Sequence, residues 1–157
     1  MGWFSGWKWK PRNDETPAAN DVWQYNTTTQ QFEPGPLAFT LASGVYTPTR
    51  SSETNLDANV TTYECQYLRV GNTVTVSGSF KANPTLTATL TDFELTLPTA
   101  SNLGASGDLS GVATCGYIAS MVAEIDGQSA NNTANIRWIA TDTSEQLWSF
   151  IFTYQVI

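Results

Sequence analysis

The 157-residue chain contains no histidine. That excludes Ser-His-Asp and Cys-His nucleophile systems and every His-ligated metal site. Cysteine is almost missing as well. Cys65 and Cys115 are too few and too far apart for a zinc site. They read as two buried thiols, with a disulfide between them as the alternative. Charge is scarce: Asp, Glu, Lys and Arg make up 13% of the chain, about half the usual globular share. No run approaches the ~18 apolar residues of a membrane-spanning helix, so no membrane partner is expected. The first basic residues follow the first apolar ones, the reverse of a secretory signal. No segment carries a convincing amphipathic helical pattern. No cofactor and no catalytic set are implied, and an enzyme is not expected.

Thr, Ser and Asn stand where the charge is missing, and they suit a pleated, half-exposed sheet. Net charge is −7 and the pI is near 4.3. Such an acidic body argues against nucleic acid as a partner.

The stretch TYECQYLRVGNTVTVSGSF at 62–80 organises the rest. It reads as two strands joined by Gly71-Asn72, a two-residue loop suited to the primed turns that match strand twist. That turn places Val70 opposite Thr73, Arg69 opposite Val74, Tyr67 opposite Val76, Cys65 opposite Gly78 and Tyr63 opposite Phe80. Alternate residues share a face. Tyr63, Cys65, Tyr67, Val74, Val76 and Phe80 then form an apolar face. Glu64, Gln66, Thr75, Ser77 and Ser79 form a polar one, with Leu68 as its apolar exception. A lone hairpin is marginal, so further strands must cover the apolar face.

Those strands are legible to varying degrees. Residues 45–49 read as a strand that Pro48 confines to an edge or an end, and residues 50–59 as a polar loop. Residues 85–97 read as one long strand in which the apolar parity changes from Leu86, Ala88 and Leu90 to Phe93, Leu95 and Leu97. That change predicts a β-bulge near Thr91-Asp92. Residues 98–111 read as a loop. Two strands, or one bent strand, are expected over 112–118 and 119–125, then a strand over 134–140 with Ile136 and Trp138 inward. In the final strand, 147–157, Trp148, Phe150, Phe152, Tyr154 and Val156 share a face. About eight strands and no helix predict an all-β fold, an antiparallel β-sandwich or jelly-roll-like domain.

The N-terminus is different. Trp3, Phe4, Trp7 and Trp9 are interleaved with Lys8, Lys10 and Arg12. These three take their share of the seven basic residues, leaving four against fourteen acids, a net −10, in the remaining 145. Arm and body therefore have opposite signs. Large aromatics at this density are not the composition of a disordered tail. They predict an arm that docks on another subunit, another protein or a membrane surface. A polar linker follows at 13–21. Residues 21–36 then read as a small hairpin bearing Trp23, Tyr25 and Phe32, ended by Pro34-Gly35-Pro36, with a short extended piece at 37–41 closed by Ser43-Gly44. The expected organisation is 1–43 as an N-terminal attachment arm and 44–157 as the β-sandwich domain. Because the sequence ends with its last strand, attachment is expected from the N-terminal side.

GVYTPT at 44–49, CQYLRVGNTVTVSG at 65–78 and IATDTSEQLWSFIFTYQVI at 139–157, in that order, resemble the small β-domain of tailed-phage virion proteins. Such domains occur in head-decoration and head-fibre proteins and at the ends of tail fibres. The resemblance covers 44–157 and not the arm. It implies a homotrimer on the capsid exterior, docked on the major capsid protein or another virion protein, and it brings no catalytic residues. Trp3, Phe4, Trp7, Lys8, Trp9, Lys10, Arg12 and Trp23 are then the candidate partner-binding residues. Leu68, Arg69, Ile151 and Ile157, together with Ile139, are the candidate oligomer interface. Arg69 is open between covering the end of the apolar face with its stem and crossing to a neighbouring subunit. The alternative function is a receptor-binding module of a tail or tail fibre, with loops at 50–59, 98–111 and 126–133 touching a host glycan or protein. The carboxylate pairs Asp92/Glu94 and Glu124/Asp126 each share a sheet face and read as solvated. Trp138 and Trp148 read as core rather than as sugar-stacking platforms.

Overall fold

A computed structural model describes residues 21–28, 31–36, 40–58 and 60–157. The chain divides into two compact units, Met1–Phe39 and Thr40–Ile157. Trp3, Phe4, Trp7, Lys8, Trp9, Lys10 and Arg12 lie outside the described residues.

In the smaller unit β1 (Asp21–Asn26) and β2 (Gln31–Pro36) form the antiparallel hairpin read from the sequence, with Tyr25 opposite Phe32 and Trp23 opposite Pro34. Pro34-Gly35-Pro36 form the end of the second strand, as expected. Proline is tolerated there because each strand of a two-stranded ladder has an unpaired side.

The larger unit is all-β. Its strands are β3 (Leu41–Tyr46), β4 (Arg50–Thr54), β5 (Thr61–Thr62), β6 (Cys65–Val70), β7 (Thr73–Ala82), β8 (Thr89–Leu95), β9 (Leu109–Cys115), β10 (Val122–Gln128), β11 (Thr133–Ala140) and β12 (Gln146–Gln155). Its only described helical piece is the 3-10 turn Ser106–Asp108. One antiparallel ladder runs β3-β6-β7-β12-β9-β10-β11-β8-β4, with β5 beside β7. Laid flat, nine strands would separate the two edges by about 38 Å at ~4.8 Å per strand. Yet residues 47–49 alone join the edge strands β3 and β4, and that link reaches about 14 Å. The sheet must therefore bend, and it curls into a half-barrel.

The concave side holds the core. Phe80 on β7 meets Phe93 on β8 at 4.9 Å and stacks on Trp148 of β12 at 5.8 Å; Trp138 of β11 lies 5.0 Å from Trp148. Trp148, Phe150, Phe152 and Tyr154 are all buried, as the alternation of the last strand requires. Close approach of strands depends on glycine at one position above all. A Cβ on Gly111 would run into the Ile151 carbonyl and the Phe152 backbone on the neighbouring strand, atoms that move only if the ladder moves. Gly111→Ala is therefore expected to cost about 3 kcal/mol, the upper end of ordinary overpacking. Urea unfolding with an unchanged midpoint would contradict this.

The central hairpin has the expected register from Val70↔Thr73 to Gln66↔Ser77. Gly71 alone of the turn pair takes a positive φ, 62°, as a Gly-first primed turn requires. Past Cys65 the expectation fails. Thr62, not Tyr63, lies opposite Phe80. An extra residue at Tyr63-Glu64 shifts the register by one, so Tyr63 turns outward, 37% exposed.

Four further expectations are corrected. Residues 50–54 are the edge strand β4 rather than loop. β8 pairs β11 without interruption, and the irregularity lies on β4 between Ser51 and Thr54. The parity change in the sequence arises because Leu86 and Leu90 face solvent while Phe93 and Leu95 face the core. β8 is also shorter than the expected 85–97. Asn55 holds the preceding bend, its Oδ1 accepting from Leu86 N at 2.8 Å and Thr85 Oγ1 at 2.7 Å, its Nδ2 donating to the Leu86 carbonyl at 2.9 Å. Finally, Ser43-Gly44 lies inside β3 and does not close a separate segment. Gly44 sits opposite Tyr67, whose ring occupies the space a side chain there would need.

Candidate docking surface

The outer face carries a diagonal aliphatic stripe. Ile151 on β12 lies opposite Val112 on β9. Val112 lies opposite Glu124, and Val122 is the next outward residue on β10. Glu124 lies opposite Arg137, and Ile139 is the next outward residue on β11. Ile139 lies opposite Leu90 on β8. All five are between 42% and 56% exposed, whereas scattered apolar surface residues rarely line up in this way. Ile151 and Ile139 were expected on an oligomer interface; Val112, Val122 and Leu90 were not, because each looks like a core residue until the register is known.

The other expected interface residues are placed separately. Leu68 is exposed on the outer face of β6, and Ile157 is exposed at the end of the chain. Arg69, one residue from Leu68, necessarily points to the opposite face. Its Nε donates to the Gly71 carbonyl at 2.8 Å, hooking the side chain onto its own turn. Leu68 and Arg69 therefore do not form one patch. Trp23 lies on β1, opposite Pro34.

Beside the stripe, Arg137 donates to Glu124 at 3.2 Å and to Asp126. The Arg137 side chain is 38% exposed, so these pairs orient side chains more than they stabilise the fold. Glu94 departs from the solvated reading: it is 5% exposed. Its carboxylate accepts from Thr133 Oγ1 at 2.7 Å and from Asn131 Nδ2 at 2.9 Å. These bonds tie β8 to the start of β11. Neither carboxylate pair is left as a free acid–base couple.

The same tie borders a cleft of about 300 Å³ between residues 96–102 and 131–133. Its polar groups are largely engaged. Ser101 Oγ donates to the Gln155 carbonyl at 2.7 Å, and Asn132 Oδ1 accepts from Leu103 N at 2.8 Å. The cleft brings together two of the three loops expected to meet a ligand, 98–111 and 126–133. Among the described residues no group of three or more His, Cys, Asp or Glu side chains is placed to hold a metal ion.

Both cysteines are free, Cys65 buried and Cys115 partly so. Burial raises the Cys65 thiol pKa, opposed by a hydrogen bond from the Ser79 backbone. Burial raises Tyr46 far more, with smaller contributions from Cys65 and Tyr154. The Tyr46 hydroxyl is buried without a hydrogen-bond partner, while Tyr154 Oη donates to the Thr99 carbonyl at 2.7 Å. A tyrosine whose folded pKa is raised stabilises the fold fully below its unfolded pKa of ~10 and loses that contribution as pH climbs towards the folded value. Stability should thus fall above about pH 10. Tyr46→Phe is expected to be neutral or stabilising by about 1 kcal/mol at pH 7, since it removes an unpaired polar atom. It should also flatten the alkaline loss. Denaturant melts of both proteins at pH 7 and above pH 10 check this, and an equally steep loss in the variant would contradict it.

No protein-family model, no curated protein and no solved structure matches this chain.

Proposed function

We propose that this protein is a structural accessory of a tailed-phage virion, a capsid decoration or cement protein on the capsid exterior. The segment ahead of β3, residues 1–40, holds it on the major capsid protein or another virion protein, and the β-domain is displayed outward. One observation carries the reading: an aromatic-basic N-terminal segment precedes an acidic β-domain, a division into a docking element and a displayed element. The sequence resemblance over 44–157 points the same way. The sandwich or jelly-roll description and the extended arm belong to this proposal. It is supported by ring contacts between β7 and the far strands β8 and β11. The proposed homotrimer is supported by the exposed stripe from Ile151 to Leu90, which a neighbouring copy would cover.

The second reading is a receptor-binding module of a tail or tail fibre. The cleft joining the 98–111 and 126–133 loops favours it, as a concave place where a host ligand could sit.

Mixing the purified chain with particles that lack it, then sedimenting the particles, separates the two. The first reading expects saturable uptake at a fixed copy number per particle. No uptake, with binding to host cells instead, would overturn it in favour of the second.

A further inference from the structure

The two edges of the curled sheet are unequal. β4 is short, irregular between Ser51 and Thr54, carries a positive φ at Ser52, and bears the Arg50–Glu53 ion pair at 3.0 Å. Such features prevent edge-to-edge pairing. β3, LASGVY, has no charge, no proline and no bulge. Its free groups can be assigned. Gly71 N donates to the Thr40 carbonyl at 2.7 Å, which makes Thr40 and Gly71 a hydrogen-bonded pair. Antiparallel ladders alternate, so Ala42, Gly44 and Tyr46 bond to β6. Leu41, Ser43 and Val45 direct their N–H and C=O groups away from it. No described residue pairs with them.

The side chains around this edge are also uncovered. Leu41, Val45, Leu68 and Val70 are all between 45% and 60% exposed, with Leu41 directly opposite Val70.

We propose that this edge pairs with the β3 edge of a second copy of the chain, antiparallel and centred on Ser43. Two features select a second copy. First, the strand is self-complementary: Leu41-Ala42-Ser43-Gly44-Val45 is apolar at both ends and small between. A two-fold axis at Ser43 sets Leu41 against Val45 of the other copy. In that register the residues with free N–H and C=O groups meet each other, and each pair exchanges both hydrogen bonds. Second, the face lacks charge. Among the outward residues of β3, β6, β7 and β12 only Lys81 is charged. A chain of net charge −7 meets its own copy without like-charge repulsion only through such a face. The contact is isologous and closes after two copies. It is therefore separate from the three-fold association proposed above. A chain using this contact alone forms dimers, and a chain using both forms hexamers.

The test is the mass of the full chain at tens of micromolar by sedimentation equilibrium, with two variants. Ser43→Pro removes an N–H that the isolated domain does not use, and proline is accepted on an edge strand. Val45→Lys sets a charge against the apolar Leu41 of the other copy, the substitution that blunts edge pairing. The expected result is an even-numbered species whose mass is halved in both variants, with unchanged circular dichroism and melting temperature. A wild-type monomer or trimer would overturn the proposal. So would an even-numbered species whose mass neither variant alters. Particle uptake depends on the arm and not on this edge, so the two readings fail separately.

Discussion

Deleting residues 1–12 is expected to abolish particle binding and leave the β-domain folded. Every buried core residue among the described ones lies between Val60 and Tyr154, and Thr40–Ile157 is a compact unit by itself. The binding loss should be large. Trp and related aromatics dominate interface energetics, and burying one contributes about 2 kcal/mol or more from area. Trp3, Phe4, Trp7 and Trp9 together offer about 8 kcal/mol by the same measure. If ordering the arm consumes half of that, the remaining ~4 kcal/mol is about a thousandfold in Kd. Effective concentration within a trimer would amplify the difference. Replacing Trp3, Trp7 and Trp9 with Ala should do nearly the same, whereas changes in the 98–111 loop should leave binding intact. Lys8, Lys10 and Arg12 would act earlier in the proposed docking by steering the arm to an acidic patch, so association should slow as salt rises. Uptake of the deleted chain at normal occupancy would put attachment in the β-domain instead.

The second large effect concerns the core. Trp148→Ala is expected to destabilise the fold by about 3–5 kcal/mol. Trp148 is fully buried. It stacks on Phe80 with an 8° interplanar angle and lies 5.0 Å from Trp138. Its removal opens a cavity between β7 and β12 on one side and β11 on the other, where collapse would require both walls to move. A domain of this size has about 5–15 kcal/mol in total, so the melting temperature should drop by about 10 °C or more. Leu86→Ala, at an exposed bend away from both proposed interfaces, is the control and should stay within about 0.5 kcal/mol of the parent. A small shift for Trp148→Ala would mean that the aromatic cluster does not carry the fold.

The parts of this fold that were legible in the sequence are those where periodicity and turn chemistry agree. β12 places Trp148, Phe150, Phe152 and Tyr154 at every second position, so its buried face was evident. Gly71-Asn72 fixed the register of β6 and β7 for as long as no extra residue intervened. The bulge at Tyr63-Glu64 has no sequence signal of its own, and one inserted residue inverted Tyr63. β4 was invisible because RSSET lies at an edge, where pairing with β8 needs only backbone and no apolar side chain. Leu90, Val112 and Val122 are apolar residues on an outward face, and alternation alone assigns such residues to a core. Only the ladder register shows that they form one stripe with Ile139 and Ile151. The cleft depends on Glu94, Asn131 and Thr133 meeting across strands, a long-range coincidence that spacing does not encode. The aromatic-basic arm was the reverse case, conspicuous by composition and needing no register.

The most direct test of the virion assignment is electron cryo-microscopy of intact particles in which the C-terminus of this chain bears a fused, recognisable domain. The account predicts extra density at regular, symmetry-related positions on the outside of the head, its stalk leading inward to a contact made by the N-terminal arm. Density confined to the tail or its fibres, or particles of unchanged appearance with the fusion recovered only in the soluble fraction, would contradict it.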